Sequence, residues 1–97
     1  MHITLIGYRG SGKSTVGRTL AGELGMDFTD TDKMVEEAAG TTIAEIFATE
    51  TESGFRARET EALETTYRLA SRVVAVGGGA VLAEVNRSMM QAAGPVI

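Results

Sequence analysis

The chain is organised around Gly7-Tyr8-Arg9-Gly10-Ser11-Gly12-Lys13-Ser14-Thr15, which stands between an apolar run, Ile3-Thr4-Leu5-Ile6, and a helical pattern. The spacing G-x-x-x-x-G-K-[ST] carries meaning in that strand-loop-helix context. Gly7, Gly10 and Gly12 let the backbone turn tightly with its N–H groups facing inward. Those groups, with the positive end of the following helix, form a nest sized for phosphate. In such a nest Lys13 reaches the β- and γ-phosphates and the Ser14 hydroxyl ligates Mg²⁺. Gly10 to Thr15 are therefore candidate nucleotide-binding residues. The plainer alternative is a glycine turn ahead of a helix.

Ninety-seven residues allow one domain, 1–97, with a modest buried fraction. The net charge of -4 disfavours general binding to nucleic acid or anionic membrane, so an anionic ligand must be held by local cations. Without cysteine there is no disulfide or thiol chemistry, which fits a cytoplasmic setting. No apolar run approaches the ~20 residues of a membrane span, and no signal-peptide pattern precedes the first strand. His2 is the single histidine, expected at the surface, so a histidine metal site or a Ser-His triad is excluded.

Met1 to Ile6 reads as a buried parallel strand and Lys13 to Leu24 as a helix, with Val16, Leu20 and Leu24 on one face and Gly25 as its left-handed stop. Met26 to Asp32 reads as extended. Met34, Val35 and Ala38 mark a short helix ending at Gly40. Thr42-Ile43-Ala44-Glu45 is a capping box opening another helix. Glu50 to Gly54 reads as a turn. From Phe55 a helix follows with Glu59, Ala62, Leu63, Thr66 and Ala70 in period, running to about Ser71. Val73 to Val76 is an apolar β-branched run suited to a strand covered on both faces. Glu84 to Ala93 reads as a last helix closed by Gly94 and Pro95, and Val96-Ile97 as the start of a further strand. Met34, Met89 and Met90 read as core or gap filling.

This order predicts an α/β fold of three layers, α/β/α, with a parallel sheet. Ligands of such sheets sit beyond the carboxyl ends of the strands. The loop at 7–15, Asp30/Asp32 and Gly77-Gly78-Gly79 all fall at that edge. Asp30 and Asp32, at i and i+2 of an extended segment, would point into one cavity, as phosphoryl transfer to a hydroxyl requires. Alternatively, Asp32 caps the next helix. Arg56 and Arg58 are cations at a helix start, where they oppose the dipole. Arg56 suits a bidentate carboxylate, or it pairs with Glu59, and Arg58 with Glu61. Three consecutive glycines suit backbone that approaches a ligand, or a plain loop. Phe47 and Phe55 read as core.

Gly7 to Thr15, Phe28-Thr29-Asp30-Thr31-Asp32, Gly54-Phe55-Arg56-Ala57-Arg58-Glu59 and Gly77-Gly78-Gly79-Ala80-Val81 together resemble, in order and spacing, the motifs of shikimate kinase. The resemblance implies a P-loop kinase fold and ATP- and Mg²⁺-dependent phosphorylation of the 3-hydroxyl of shikimate, in aromatic amino-acid biosynthesis. It implies that Lys13 and Ser14 serve the phosphates and metal, with Asp30 near the metal through water. It also implies that Asp32 binds shikimate hydroxyls as the candidate base and that Arg56, oriented by Glu59, binds the shikimate carboxylate. Gly77 to Gly79 would close on shikimate through backbone N–H groups, and Phe47 and Phe55 would wall the pocket. A cytoplasmic monomer at full length, with no nucleic-acid or membrane partner, is expected. Proteins of this family are longer, so the chain is expected to be a fragment that stops inside a strand at Val96-Ile97. The missing part would hold a lid with a phosphate-contacting arginine, a second carboxylate-binding arginine and the adenine-binding loop. A non-catalytic nucleotide-binding domain and a kinase for another hydroxy acid such as gluconate are the alternatives.

Overall fold

The computed structural model describes residues 1–7 and 13–97; the side chains of residues 7–14 lie outside the described set. Three parallel strands form the sheet: β1 (Ile3–Gly7), β2 (Asp27–Asp30) and β3 (Arg72–Gly77), in the order β1-β3-β2. The sequence predicts β3 as the doubly covered strand, and Val73 to Val76 are fully buried. Burying a valine side chain contributes about 1.5–3 kcal/mol, so this run anchors the domain. Its side chains alternate. Val73 packs with Leu5 and Ala21 on one face, while Val74 and Val76 pack with Leu63, Ala80 and Met90 on the other.

Helix α1 (Lys13–Leu24) covers the first face. It uses Gly17 and Ala21 and, from the predicted Val16-Leu20-Leu24 stripe, the half-buried Leu20, which packs on this core as expected; Val16 and Leu24 are exposed. The reason is steric. The Phe28 ring lies where a Cβ on Gly17 would stand, so the helix is turned to put its small residues against the sheet. Gly25, with φ of 65°, stops the helix as expected.

The second face carries α2 (Thr31–Ala39), α3 (Ile43–Arg68) and α4 (Glu84–Ala93). Val35, Ile46, Phe55 and Ala62 form the core between α2 and α3, whereas Ala38, expected on the buried face, is exposed. Thr42 caps α3 by accepting from the Glu45 N–H at 3.2 Å, as the capping box predicts. The turn expected over 50–54 is narrower than predicted. Helix continues on both sides of one non-helical residue, Thr51, with φ 65° and ψ 180°. The two halves are clamped across it by Arg58, whose guanidinium donates to both Glu50 oxygens at 2.9 and 2.8 Å. Glu50, not Glu61, is therefore the ion-pair partner of Arg58, because the kink swings it within reach. The helix ends at Arg68, before Ala70, which is exposed.

His2 is buried, against expectation, at 7% exposure. Its ring meets the Tyr67 ring edge-on at 5.2 Å, and Nε2 finds no hydrogen-bond partner among the described residues. After α4, the chain lies along the outer edge of β1. The Thr4 N–H donates to the Pro95 carbonyl at 2.9 Å and the Ile97 N–H to the Thr4 carbonyl at 2.8 Å. Val96 is thus parallel to β1, as the predicted strand start requires. Among the described residues no helix is long and apolar enough to cross a membrane.

Candidate active site

The parallel register brings the strand ends together. Gly7 of β1 pairs with Gly77 of β3, and Asp30 of β2 pairs with Ala75. The entry to the glycine-rich loop, the end of β2 and the triple glycine therefore share the carboxyl edge of the sheet, where ligands of open parallel sheets bind. Of the loop itself, residues 8–12 and the side chains of Lys13 and Ser14 lie outside the described residues. The start of α1 at Lys13 agrees with a helix N-terminus opening there.

Asp30 and Asp32 are not two residues of one extended segment. Asp30 ends β2 in an extended conformation and is itself the N-cap of α2, with Oδ1 accepting from the Asp32 N–H at 3.0 Å. Asp32, proposed from sequence as the cap, sits instead in the first turn. The helix begins immediately after the strand, so the first aspartate meets the unsatisfied N–H groups. Thr31 between them is fully buried and donates to the Ala75 carbonyl at 3.3 Å, which fixes the start of α2 on β3.

That placement carries Asp32 to the glycine turn. A Cβ added at Gly77 would lie 3.3 Å from Asp32 Oδ1 and 3.7 Å from Glu59 Oε2. Glu59 is 1% exposed, and Arg56 Nη1 donates to its Oε1 at 3.0 Å. Burial pushes the Glu59 carboxyl above its usual range. Arg56 opposes the shift, and the nearby Asp32 charge adds to it. The Arg56 guanidinium also makes a longer contact to Glu52 at 3.5 Å and lies 5.3 Å from the Phe55 ring centre. A Cβ on Gly79 would stand 2.5 and 2.6 Å from its two terminal nitrogens. Only glycine admits the cation so close to this backbone. Arg56 does pair with Glu59, as one sequence reading holds, but Glu59 is buried beside Asp32 and the pair is no surface ion pair.

Gly77 ends β3, and Gly78 to Leu82 form a single 3-10 turn. Phe55 is buried in the core as its residue type suggests, whereas Phe47 is 40% exposed and stacks on Phe55 at 4.8 Å between ring centres. The described site thus brings together Asp32, Arg56, Glu59 and Gly77 to Gly79, with the Phe47–Phe55 stack beside Arg56.

A family model for shikimate kinase matches residues 9–97. The chain belongs to the shikimate kinase family. It is 50% identical over all 97 residues to the shikimate kinase of Symbiobacterium thermophilum, of which it covers 56%. It is 54% identical over 95 residues to shikimate kinase 2 of Erwinia tasmaniensis, covering 98% of this chain and 54% of that one. Among solved structures, the shikimate kinase of Acinetobacter baumannii in complex with shikimate superposes with a TM-score of 0.93 at 45% identity, over 98% of this chain and 53% of that one. The shikimate kinase of Aquifex aeolicus superposes equally well, with a TM-score of 0.93 at 36% identity. The chain spans about half the length of the shikimate kinases it matches.

Sequence reasoning missed one polar group behind this site. Asn86 is 1% exposed in α4 and touches the glycine turn through its side-chain amide. A lone asparagine on an amphipathic helix gives no pattern by which to find it. Its burial is the signal, and that needs the fold.

Proposed function

We propose that this chain carries the phosphate loop and acceptor site of a kinase that transfers the γ-phosphoryl group of ATP to the 3-hydroxyl of shikimate, in the cytoplasm. The observation that carries this reading is the convergence of Asp32, the Arg56–Glu59 pair and the Gly77–Gly79 backbone at one strand edge, beside the strand that enters the phosphate loop. The shikimate bound to the Acinetobacter baumannii relative supports the same acceptor.

In this reading Arg56 binds the acceptor carboxylate. Its guanidinium is planar and partly exposed; Glu59 holds Nη1 at 3.0 Å, and the longer 3.5 Å contact of Nη2 to exposed Glu52 would give way to the acceptor carboxylate. Backbone N–H groups of Gly77 to Gly79 hold acceptor oxygens, and Phe47 and Phe55 wall the pocket. Asp32 orients the reacting hydroxyl and accepts its proton as the new P–O bond forms, while the bridging oxygen leaves with ADP. Gly10 to Thr15 hold the nucleotide phosphates, with Lys13 the cation among them. Asp30 supplies a hard oxygen ligand of the kind Mg²⁺ takes. Its Oδ1 is engaged with the Asp32 N–H, so a water-mediated contact from this carboxylate fits better than a dedicated cage. Ser14 would be the other ligand. Among the described residues no group of three or more His, Asp or Glu side chains could hold a metal, which fits an ion held mainly by phosphate and water. When bound, Mg²⁺ neutralises charge on the transferred phosphate.

A coupled ADP-release assay with shikimate and gluconate tests this reading. Turnover with shikimate that Asp32→Asn abolishes is expected. Turnover with gluconate in place of shikimate, or nucleotide binding with no turnover on either acid, contradicts it.

A further inference from the structure

The turn that carries the triple glycine has no cap of its own. Neither Gly77 at the start of the 3-10 turn nor Ala83 at the start of α4 makes a side-chain capping hydrogen bond. Two side chains of α4 hold its carbonyls instead. Asn86 Nδ2 donates to the buried Ala80 carbonyl at 3.0 Å, and Arg87 Nη1 donates to the Val81 carbonyl at 2.6 Å. The other end of the Asn86 amide faces α3, where Thr60 Oγ1 donates to Oδ1 at 2.9 Å.

Burying an amide is costly unless its polar atoms are paired, and here both ends are. An apolar side chain would fill the same gap between α3, α4 and the turn, so packing alone does not call for asparagine. What the amide adds is direction. Thr60 adjoins Glu59, one turn along α3 from Arg56, and Ala80 adjoins Gly79. The planar amide ties these two points at fixed spacing. That spacing matters because the Arg56 guanidinium rests on the bare backbone of Gly79 with no room for even a methyl group.

The geometry points to Asn86 as a positioning residue of the acceptor site: its buried amide, bridging Thr60 and Ala80, sets the distance between the Arg56 guanidinium and the Gly77–Gly79 backbone. The consequence for affinity rests on the reading of that site as the shikimate site. The consequence for geometry does not. Removing the bridge leaves the turn free to shift by a few tenths of an ångström, and the arginine and the backbone donors then no longer match one ligand together.

The test uses the full chain as wild type, Asn86→Leu, Thr60→Val and Thr60→Ser. Thr60→Val keeps volume and removes the hydroxyl donor, so it serves if Asn86→Leu fails to fold. Thr60→Ser restores the donor. The first readout is ligand-free: two-dimensional amide spectra and hydrogen exchange at Gly78, Gly79 and Ala80, with the Arg56 Nε–H resonance. The inference expects these signals to move and exchange to speed up in Asn86→Leu and Thr60→Val, and to return in Thr60→Ser. The second readout is calorimetric affinity for shikimate and for ADP. The loss of one buried hydrogen bond predicts shikimate binding weaker by about five- to ten-fold, unchanged ADP affinity, and rescue in Thr60→Ser. A folded Thr60→Val or Asn86→Leu chain with wild-type turn and Arg56 signals overturns the inference, as does a parallel loss of both affinities. If the wild-type chain binds no shikimate, the functional reading fails by itself and the ligand-free spectra still decide the role of Asn86.

Discussion

Glu59→Gln separates what the buried carboxylate does for the site from what it does for the fold. Glu59 is 1% exposed, and Arg56 donates to it at 3.0 Å. The substitution replaces a charge-assisted hydrogen bond, about 1.5–3 kcal/mol, by a neutral one of about 0.5–1.5 kcal/mol, so the hold on Arg56 weakens by roughly 1 kcal/mol. It also removes a carboxylate whose burial is unfavourable, which is why its pKa is raised above the ordinary 4.5. These effects offset at neutral pH, and little change in stability is expected there. The pH dependence gives the sign. Between 4.5 and the raised value the folded chain holds the Glu59 proton more tightly than the unfolded chain does. Wild-type stability therefore improves relative to the variant as pH falls through that window, and the difference is constant above it. Urea melts at a series of pH values read this directly. Calorimetry at neutral pH should show shikimate binding weakened by about five-fold, equivalent to the lost ~1 kcal/mol, with ADP unaffected. If the variant instead gains on the wild type as pH falls, the Arg56 pair outweighs the cost of burial and the offset argued for neutral pH is wrong; if both ligands weaken alike, Glu59 does not act through Arg56.

Three further outcomes are expected. Gly79→Ala should displace the Arg56 guanidinium, because the added methyl would stand 2.5 Å from Nη1; raised KM for shikimate with little change in KM for ATP checks this. Thr51→Gly should stabilise the chain: a left-handed threonine costs on the order of 1–3 kcal/mol, and glycine returns about 0.5–1 of that in unfolded-state entropy, leaving a gain of about 1 kcal/mol in urea denaturation. His2→Phe should abolish a loss of stability on the acid side. Burial, then the N-terminal ammonium, hold His2 below its ordinary 6.5, so the folded chain resists protonation and wild-type stability falls as pH drops below 6.5; thermal midpoints of the variant should lose that part of the slope.

The parts of the fold that were legible in the sequence are those set by local chemistry. The β-branched run at Val73–Val76, the helix stops at Gly25 and Gly40, the capping box at Thr42 and the bounds of α4 follow from residue type and spacing. Reading by bulk failed on α1, because the sheet accepts Gly17 and Ala21 under the Phe28 ring and leaves Val16 and Leu24 outside. Pairing by helical spacing failed for Arg58, whose partner lies eight residues back across the Thr51 kink. His2 is buried by a contact with Tyr67, distant in sequence. In the site, the glycine turn stood out by composition, whereas Arg56 was open to ordinary ion pairing until the family motif singled it out. The roles of Glu59 and Asn86 depend on α3, α4 and the turn meeting, which no local pattern encodes.

The claim that the convergent residues form a shikimate site is tested most directly by titrating the full chain with shikimate and with gluconate while following the amide signals of Gly77 to Gly79 and the Arg56 Nε–H. The account predicts saturable shifts at these positions with shikimate, none with gluconate, and loss of the shikimate response in Arg56→Ala with ADP binding retained. Shifts of equal size with gluconate, or a shikimate response that survives Arg56→Ala, would contradict it.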